Sequence, residues 1–263
     1  MEKIDQILLK IYTILDRAVE FIKHRTRLEI MTKINEMSRK IHSSLMVLAL
    51  FFVAIYSIYS SIQFEDGQPI GTGVLAILGF LVISYLAKDF HVACENLISA
   101  NGTTVSNNAI LRVSAIAYVL SAAIFFLVFL ASFFTGDISQ SLQFLLLAVL
   151  GYMSAGTMFN PSLININISS DSSAGEDFIT IFSIGFKTML YFQRIISSLI
   201  ILWGIMTIIE IMFDFSNNYI DGAYAFGLIA AGIGFPLVAY IMFIIVWFVN
   251  SLFLAILSLK RSN

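Results

Sequence analysis

At 263 residues, 59% hydrophobic and only 12% charged, the chain lies well outside the composition of a soluble domain, where charged residues make up about a quarter. The net charge of −2 says little, because the 15 basic residues are segregated rather than scattered. A single cysteine, Cys94, excludes an internal disulfide. The class these features indicate is an all-α polytopic integral membrane protein, with the lipid bilayer as its principal partner.

Nine of the Lys and Arg residues precede residue 41, and the rest come as Lys88 and Arg112, Lys187 and Arg194, and Lys260 and Arg261. Each interval between these groups is apolar and long enough for two crossings. Positive charge held in short loops marks the cytoplasmic face. Six spans follow, with both termini inside; acidic outer turns carry Glu65, Asp66, Asp137, Asp214 and Asp221. No signal peptide precedes the first span. The Ile- and Asn-rich, Cys-poor composition fits a plasma membrane, that of a bacterium in particular.

Residues 1–43 read as a cytoplasmic amphipathic helix. Ile4, Ile7, Ile11, Ile14, Ala18 and Phe21 follow a 3–4 spacing, and Ile30, Ile34, Met37 and Ile41 resume it on another phase after a break near Arg25–Arg27. Such a stripe requires a surface to bury against: a second copy, a membrane partner protein, the chain's own loops or the headgroup region. Residues 2–42 are therefore the expected element for homo-oligomer or partner contact. No nucleic-acid partner is expected.

The transmembrane domain covers 44–259, followed by a basic tail at 260–263. Spans one and two, about 44–62 and 70–87, join at a short acidic turn. Residues 88–112 form an inner loop centred on Asn101-Gly102, a turn signal. Spans three and four are about 113–134 and 142–159. Asn160-Pro161 stops the fourth, and an inner loop runs to residue 178. Within it, Ser173-Ala174-Gly175-Glu176 matches a capping box. The helix it opens carries Phe178, Ile181, Phe182 and Phe186 before Lys187, too short to span, and reads as an interfacial helix ahead of span five at about 190–213. Span six, about 226–250, stays apolar as far as Leu259, roughly 51 Å of helix, so it must tilt, kink or protrude; Pro236 is the expected kink.

Few residues stand out chemically. Glu210 is a carboxylate within an apolar span, either an ion or proton site or a group facing the outer interface. Asn250 suits an interhelical hydrogen bond or a pore lining. Arg194, one turn inside span five, is expected to snorkel to the headgroups. Gly151 with Ala155, Gly227 with Ala231, and Ala230 with Gly234 have small-xxx-small spacing and mark helix-packing faces. His91, Cys94 and Glu95 fit one helical turn, with His42 able to approach, but no CxxC or HExxH accompanies them, so no metal site is expected. Nucleotide and nucleophile motifs are missing, so neither a cofactor nor an enzyme is expected. Two functions remain: a passive, oligomeric channel or carrier for a small solute or ion, and a scaffold or assembly subunit docking through residues 2–42.

Overall fold

The computed structural model describes the backbone at residues 13, 17, 19–135, 138–214 and 219–261. Ile4, Ile7, Ile11, Ile14 and Ala18 of the expected stripe lie outside the described residues, as do Asp137 and the side chains of Asp214, Asp221, Lys260 and Arg261. The elements in order are α1 (Leu28–Gln63), α2 (Gln68–Ala100), β1 (Thr103–Val105), α3 (Ala109–Thr135), α4 (Ile138–Phe159), a 3₁₀ turn (Pro161–Ile164), β2 (Ile166–Ile168), α5 (Ala174–Tyr191), α6 (Gln193–Asp214) and α7 (Tyr219–Arg261). Six of these helices, all but α5, are long and apolar enough to cross a membrane. The protein is an all-α polytopic membrane protein.

Helices α1, α2, α6 and α7 pack into one group, and the α3–α4 hairpin joins it through α4 against α6. Connectivity puts the turns after α1, α3 and α6 at one end, called here the acidic end for Glu65 and Asp66. The opposite, basic end carries the longer connections.

The expected break falls at Thr26 and Arg27, where the helical turns from residue 19 stop and α1 begins. The backbone carbonyls released there are taken up from outside: the Tyr152 hydroxyl donates to Arg25 O at 3.1 Å and Asn160 Nδ2 to Thr26 O at 2.5 Å. From Leu28 the chain has no Gly or Pro before Gly67, so residues 28–42 are the opening turns of the span-one helix rather than a separate element. Helix α2 likewise runs on to Ala100, which makes helix of residues 88–100, expected as loop.

The two basic-end connections meet in a short parallel ladder, Thr103–Val105 against Ile166–Ile168. Three-residue strands leave no alternation to read in a sequence, and this pair joins segments some sixty residues apart. Asn165, at φ 52° in the left-handed region that Asn tolerates, directs its side-chain amide onto Ile98 O and Ser99 O at 3.1 and 2.9 Å. The ladder is thereby fastened to the end of α2.

Helix α5 opens with the capping box its sequence specifies: Ser173 N donates to Glu176 Oε2 at 2.6 Å, and Glu176 N to Ser173 Oγ at 3.3 Å. Ile179, Ser183, Ile184 and Leu190 are buried, while Phe178, Ile181 and Phe182 face outward. Ser173→Ala should cost about 1 kcal/mol, seen as a lower unfolding temperature in detergent with α-helical content unchanged.

Glycines set the closest helix approaches. A Cβ on Gly73 would collide with the Ser57 hydroxyl, one on Gly151 would meet Ala122 Cβ at 3.0 Å, and one on Gly232 would meet Ser197 O at 3.0 Å. Gly204 is equally tight, 3.0 Å from Ala225 O. Ala155 is fully buried. Gly227 corrects the expectation: nothing lies within 4 Å of its virtual Cβ, and Ala231 is exposed. The face of α7 toward α6 is instead Ala225, Ile229 and Gly232, half a turn away from the 227/231 pair. Gly234 makes only an ordinary contact, 3.7 Å from Ile83. Helix α7 passes through Pro236 as one 43-residue element.

Candidate functional site

Polar side chains from α1, α2 and α6 converge toward the basic end of the bundle. His42 lies on α1. His91 and Glu95, four residues apart, share one face of the extended α2. Gln193, Arg194 and Ser197 open α6. Arg194 Nη1 sits 2.8 Å from Glu95 Oε1, with side-chain exposures of 9% and 43%. This corrects the snorkelling expectation: Arg194 is buried and paired, because α2 continues far enough to bring a carboxylate to it.

The rest of the cluster is neutral hydrogen bonding. Gln193 Nε2 donates to His91 O at 3.0 Å. The His42 and His91 rings meet edge to face, 5.1 Å between centroids. The Ser197 hydroxyl donates to Gly232 O and lies 3.3 Å from His42 Nδ1. Gly232 is four residues before Pro236, whose missing N–H leaves that carbonyl without its helical donor. Ser197 supplies the replacement. A hydroxyl has one proton, already given to Gly232, so His42 Nδ1 is the donor in the second contact. Two buried atoms here, His91 Nδ1 and Gln193 Oε1, find no well-formed hydrogen bond, and the only interaction open to them is a loose one between the two side chains. Cys94 is fully buried, and its thiol lies 3.6 Å from Pro236 O as a weak donor. Among the described residues no group of three or more His, Cys, Asp or Glu side chains is placed to hold a metal ion.

Toward the middle of the bundle the polar groups stop. Met46, Ala49 and Val53 of α1 pack with Phe80 of α2, Ile201, Ile205 and Ile208 of α6, and Ile229 and Ile233 of α7, all buried. From Met46 to Val53 this dry layer is about 10 Å deep. Beyond it, at the acidic end, lies a cavity of about 210 Å³ bordered by Tyr56, Ser57, Ser60, Thr72 and Phe226. His42, the apolar layer and the cavity thus follow one another along α1. Glu210 borders neither cavity nor cluster; it is half-buried near the acidic end of α6.

A second polar assembly caps the basic end. Asp177 accepts from Ser106 N at 2.6 Å, from the Ser106 hydroxyl, and from Ser172 Oγ at 3.0 Å. The Ser106 hydroxyl first, then the backbone amide and Ser172, hold its carboxyl below the ordinary range. Beneath the cap, Lys187 is fully buried. Its Nζ donates to Thr103 Oγ1 at 2.9 Å and Asn165 O at 3.3 Å, and sits 5.8 Å from the Trp247 ring centroid. No carboxylate pairs with it among the described residues. Burial pushes its pKa down from 10.5 to about 8. Between those values the unfolded chain binds the extra proton, so stability should rise as pH climbs from about 8 to 10.5, by an amount on the order of 3 kcal/mol. Lys187→Met should abolish that slope in melts taken across the same range.

Asn250 is 4% exposed, and its Nδ2 has no partner. This corrects the expectation of an interhelical bond through that nitrogen: Asn250 borders a cavity shared with the cap residues Thr103 and Thr104.

Comparison with known protein families, with curated proteins and with solved structures found no match.

Arg194 and Asn250 stand out in the sequence as polar groups within apolar spans, whereas Lys187, Gln193 and Ser197 do not. Pro236 gave the one usable signal for Ser197, since a proline within a helix always releases the carbonyl four residues earlier.

Proposed function

We propose that the protein is a gated passive path for a small solute or ion. The observation that carries the reading is the sequence of environments along α1: a largely apolar cavity edged by hydroxyl groups, an apolar plug, and a polar cluster. Polar and charged groups buried in a membrane bundle are costly and tend to mark a substrate route. Apolar constrictions close such routes by excluding water. His91 Nδ1 and Gln193 Oε1, at most loosely engaged with each other's side chains, are the polar atoms of the cluster that a passing polar species displaces most cheaply. By the distribution of basic residues, the cluster faces the cytoplasm, both termini lie inside, and the membrane is a plasma membrane, a bacterial inner membrane by composition. The exposed Phe178, Ile181 and Phe182 of α5 suit the inner headgroup boundary.

Flux through liposomes loaded with a panel of small ions and neutral polar solutes tests this. Purified protein should pass at least one of them, and Gln193→Leu, which removes a loosely engaged acceptor, should slow it. Impermeability to the whole panel would count against a path.

A scaffold reading has its own support. On the first turns of α1, Met31, Ile34 and Ser38 pack inward, while Ile30, Met37 and Ile41 stay exposed on another face. That stripe suits a second copy or a membrane partner. Met37→Glu with Ile41→Glu should dissolve any such assembly; if flux is absent and assembly is lost, the scaffold reading replaces the path.

A further inference from the structure

The helical turns that end at Arg25 are tied to α4 and its end by the Tyr152 hydroxyl on Arg25 O and Asn160 Nδ2 on Thr26 O. Together with the α3–α4 hairpin they enclose a groove of about 630 Å³. Short side chains make the trough: Ala122 and Ala123 on α3, Ala148 and Val149 on α4. Phe126 and Leu145 stand deep in the groove, and Phe21, Ile22 and Arg25 stand at its mouth. From Tyr152 to Leu145 it follows α4 for about 10 Å, away from the basic end. The Tyr152 hydroxyl is already spent, so Arg25 apart the walls offer an occupant only apolar surface.

A second, wider depression opens at the mouth. It shares Phe21 and Arg25 with the groove and is bordered by Lys23, Arg27, Glu20 and Glu29. Its charges do not cancel. Glu20 is engaged with Lys23 at 3.7 Å. Glu29 lies in the first turn of α1, where the partial positive charge of the helix start offsets it. Arg25 and Arg27 remain, both exposed, and among the described residues neither is paired with a carboxylate. Arg25 Cζ lies 5.4 Å from the Phe21 ring centroid, which holds that charge where groove and depression meet.

We infer that the groove and its mouth bind one anionic phospholipid, an acyl chain along α3 and α4 and the phosphodiester on Arg25 and Arg27. An apolar trough continuous with two guanidinium groups matches the tail and headgroup of a single amphiphile, and basic pockets at the ends of membrane helices suit anionic lipids. The guanidinium fork fits phosphate oxygens. A zwitterionic lipid presents the same phosphate but brings its own cation against the two arginines. A peptide would carry backbone polar groups into walls with no partner for them. Lipid seated here buttresses the turns before α1 against the hairpin, whether or not a solute passes through the bundle.

Native mass spectrometry of the full chain in detergent, titrated with dimyristoyl phosphatidylglycerol or dimyristoyl phosphatidylcholine, tests this. One phosphatidylglycerol should bind at least about tenfold more tightly than phosphatidylcholine, and Arg25→Gln with Arg27→Gln should level the two. Ala123→Trp, at an exposed position of the trough, should expel the tail and lose phosphatidylglycerol binding. Glycerol phosphate, a headgroup without tails, should not displace the lipid. All substitutions lie at exposed positions, and the arginine pair decides the matter if Ala123→Trp fails to fold. Equal affinities for the two lipids, an undiminished preference in the arginine variant, full binding in a folded Ala123→Trp, or displacement by glycerol phosphate would overturn the site. So would a dimer that ignores phosphatidylglycerol and is lost in Ala123→Trp, which would give the groove to a second copy.

Discussion

Glu95→Ala should destabilise the protein by about 3 kcal/mol, the low end of the range for breaking a buried ion pair. The size follows from asymmetry. The Arg194 side chain is 9% exposed while that of Glu95 is 43% exposed, so the loss leaves a guanidinium with little water to replace its partner. Removing both charges, as Glu95→Leu with Arg194→Met, should recover most of the loss, because the desolvation cost disappears with the ion it belonged to. Unfolding in mild detergent, followed by circular dichroism, measures all three proteins. A cost under about 1 kcal/mol for Glu95→Ala would place the pair among surface ion pairs and remove the reason to regard the cluster as a buried polar site.

Ile205→Asn should open the plug. Ile205 is 1% exposed in the layer that separates the acidic-end cavity from His42. An amide there lowers the cost of wetting a constriction held shut by apolar surface, and a change of only about 1.4 kcal/mol in that barrier is tenfold in rate. Flux through liposomes should therefore rise at least about tenfold, accompanied by a stability loss of about 1–3 kcal/mol for the buried amide. Ile205→Ala separates the two effects. It opens a comparable void but leaves it apolar, and such voids stay dry, so stability should fall with little gain in flux. If both variants lose stability and neither gains flux, the layer is ordinary core.

The span pattern was legible because it rests on long apolar runs and segregated charge, both properties of the chain alone. Break and cap signals also read through: Thr26–Arg27 interrupts the helix within the expected Arg25–Arg27 region, and Ser173 with Glu176 forms the box its spacing describes. What did not read through depended on neighbours. Arg194 looked like an interfacial residue because its partner, Glu95, lay in a segment without an apolar pattern, although α2 runs straight through it. Lys187 read as one of the inner-side cations, at the end of the interfacial helix, while the structure buries it beneath the β1–β2 ladder. Gly227 and Ala231 had suitable spacing on the wrong side of α7, since spacing defines a face but not which neighbour it meets. Glu210 drew notice as an isolated acid in an apolar run, yet the polar convergence lies at the other end of α6.

Cysteine accessibility tests the central claim most directly. In a Cys94→Ser background, which keeps a donor to Pro236 O, single cysteines replace Ser60, Val53 and His42 in turn. A membrane-impermeant maleimide is then applied from either side of sealed vesicles. The account predicts that position 60 labels only from the acidic-end side, position 42 only from the basic-end side, and position 53 from neither. Labelling of positions 60 and 42 from the same side, or of position 53 as readily as either, would contradict a path of two accessible ends closed by a dry middle.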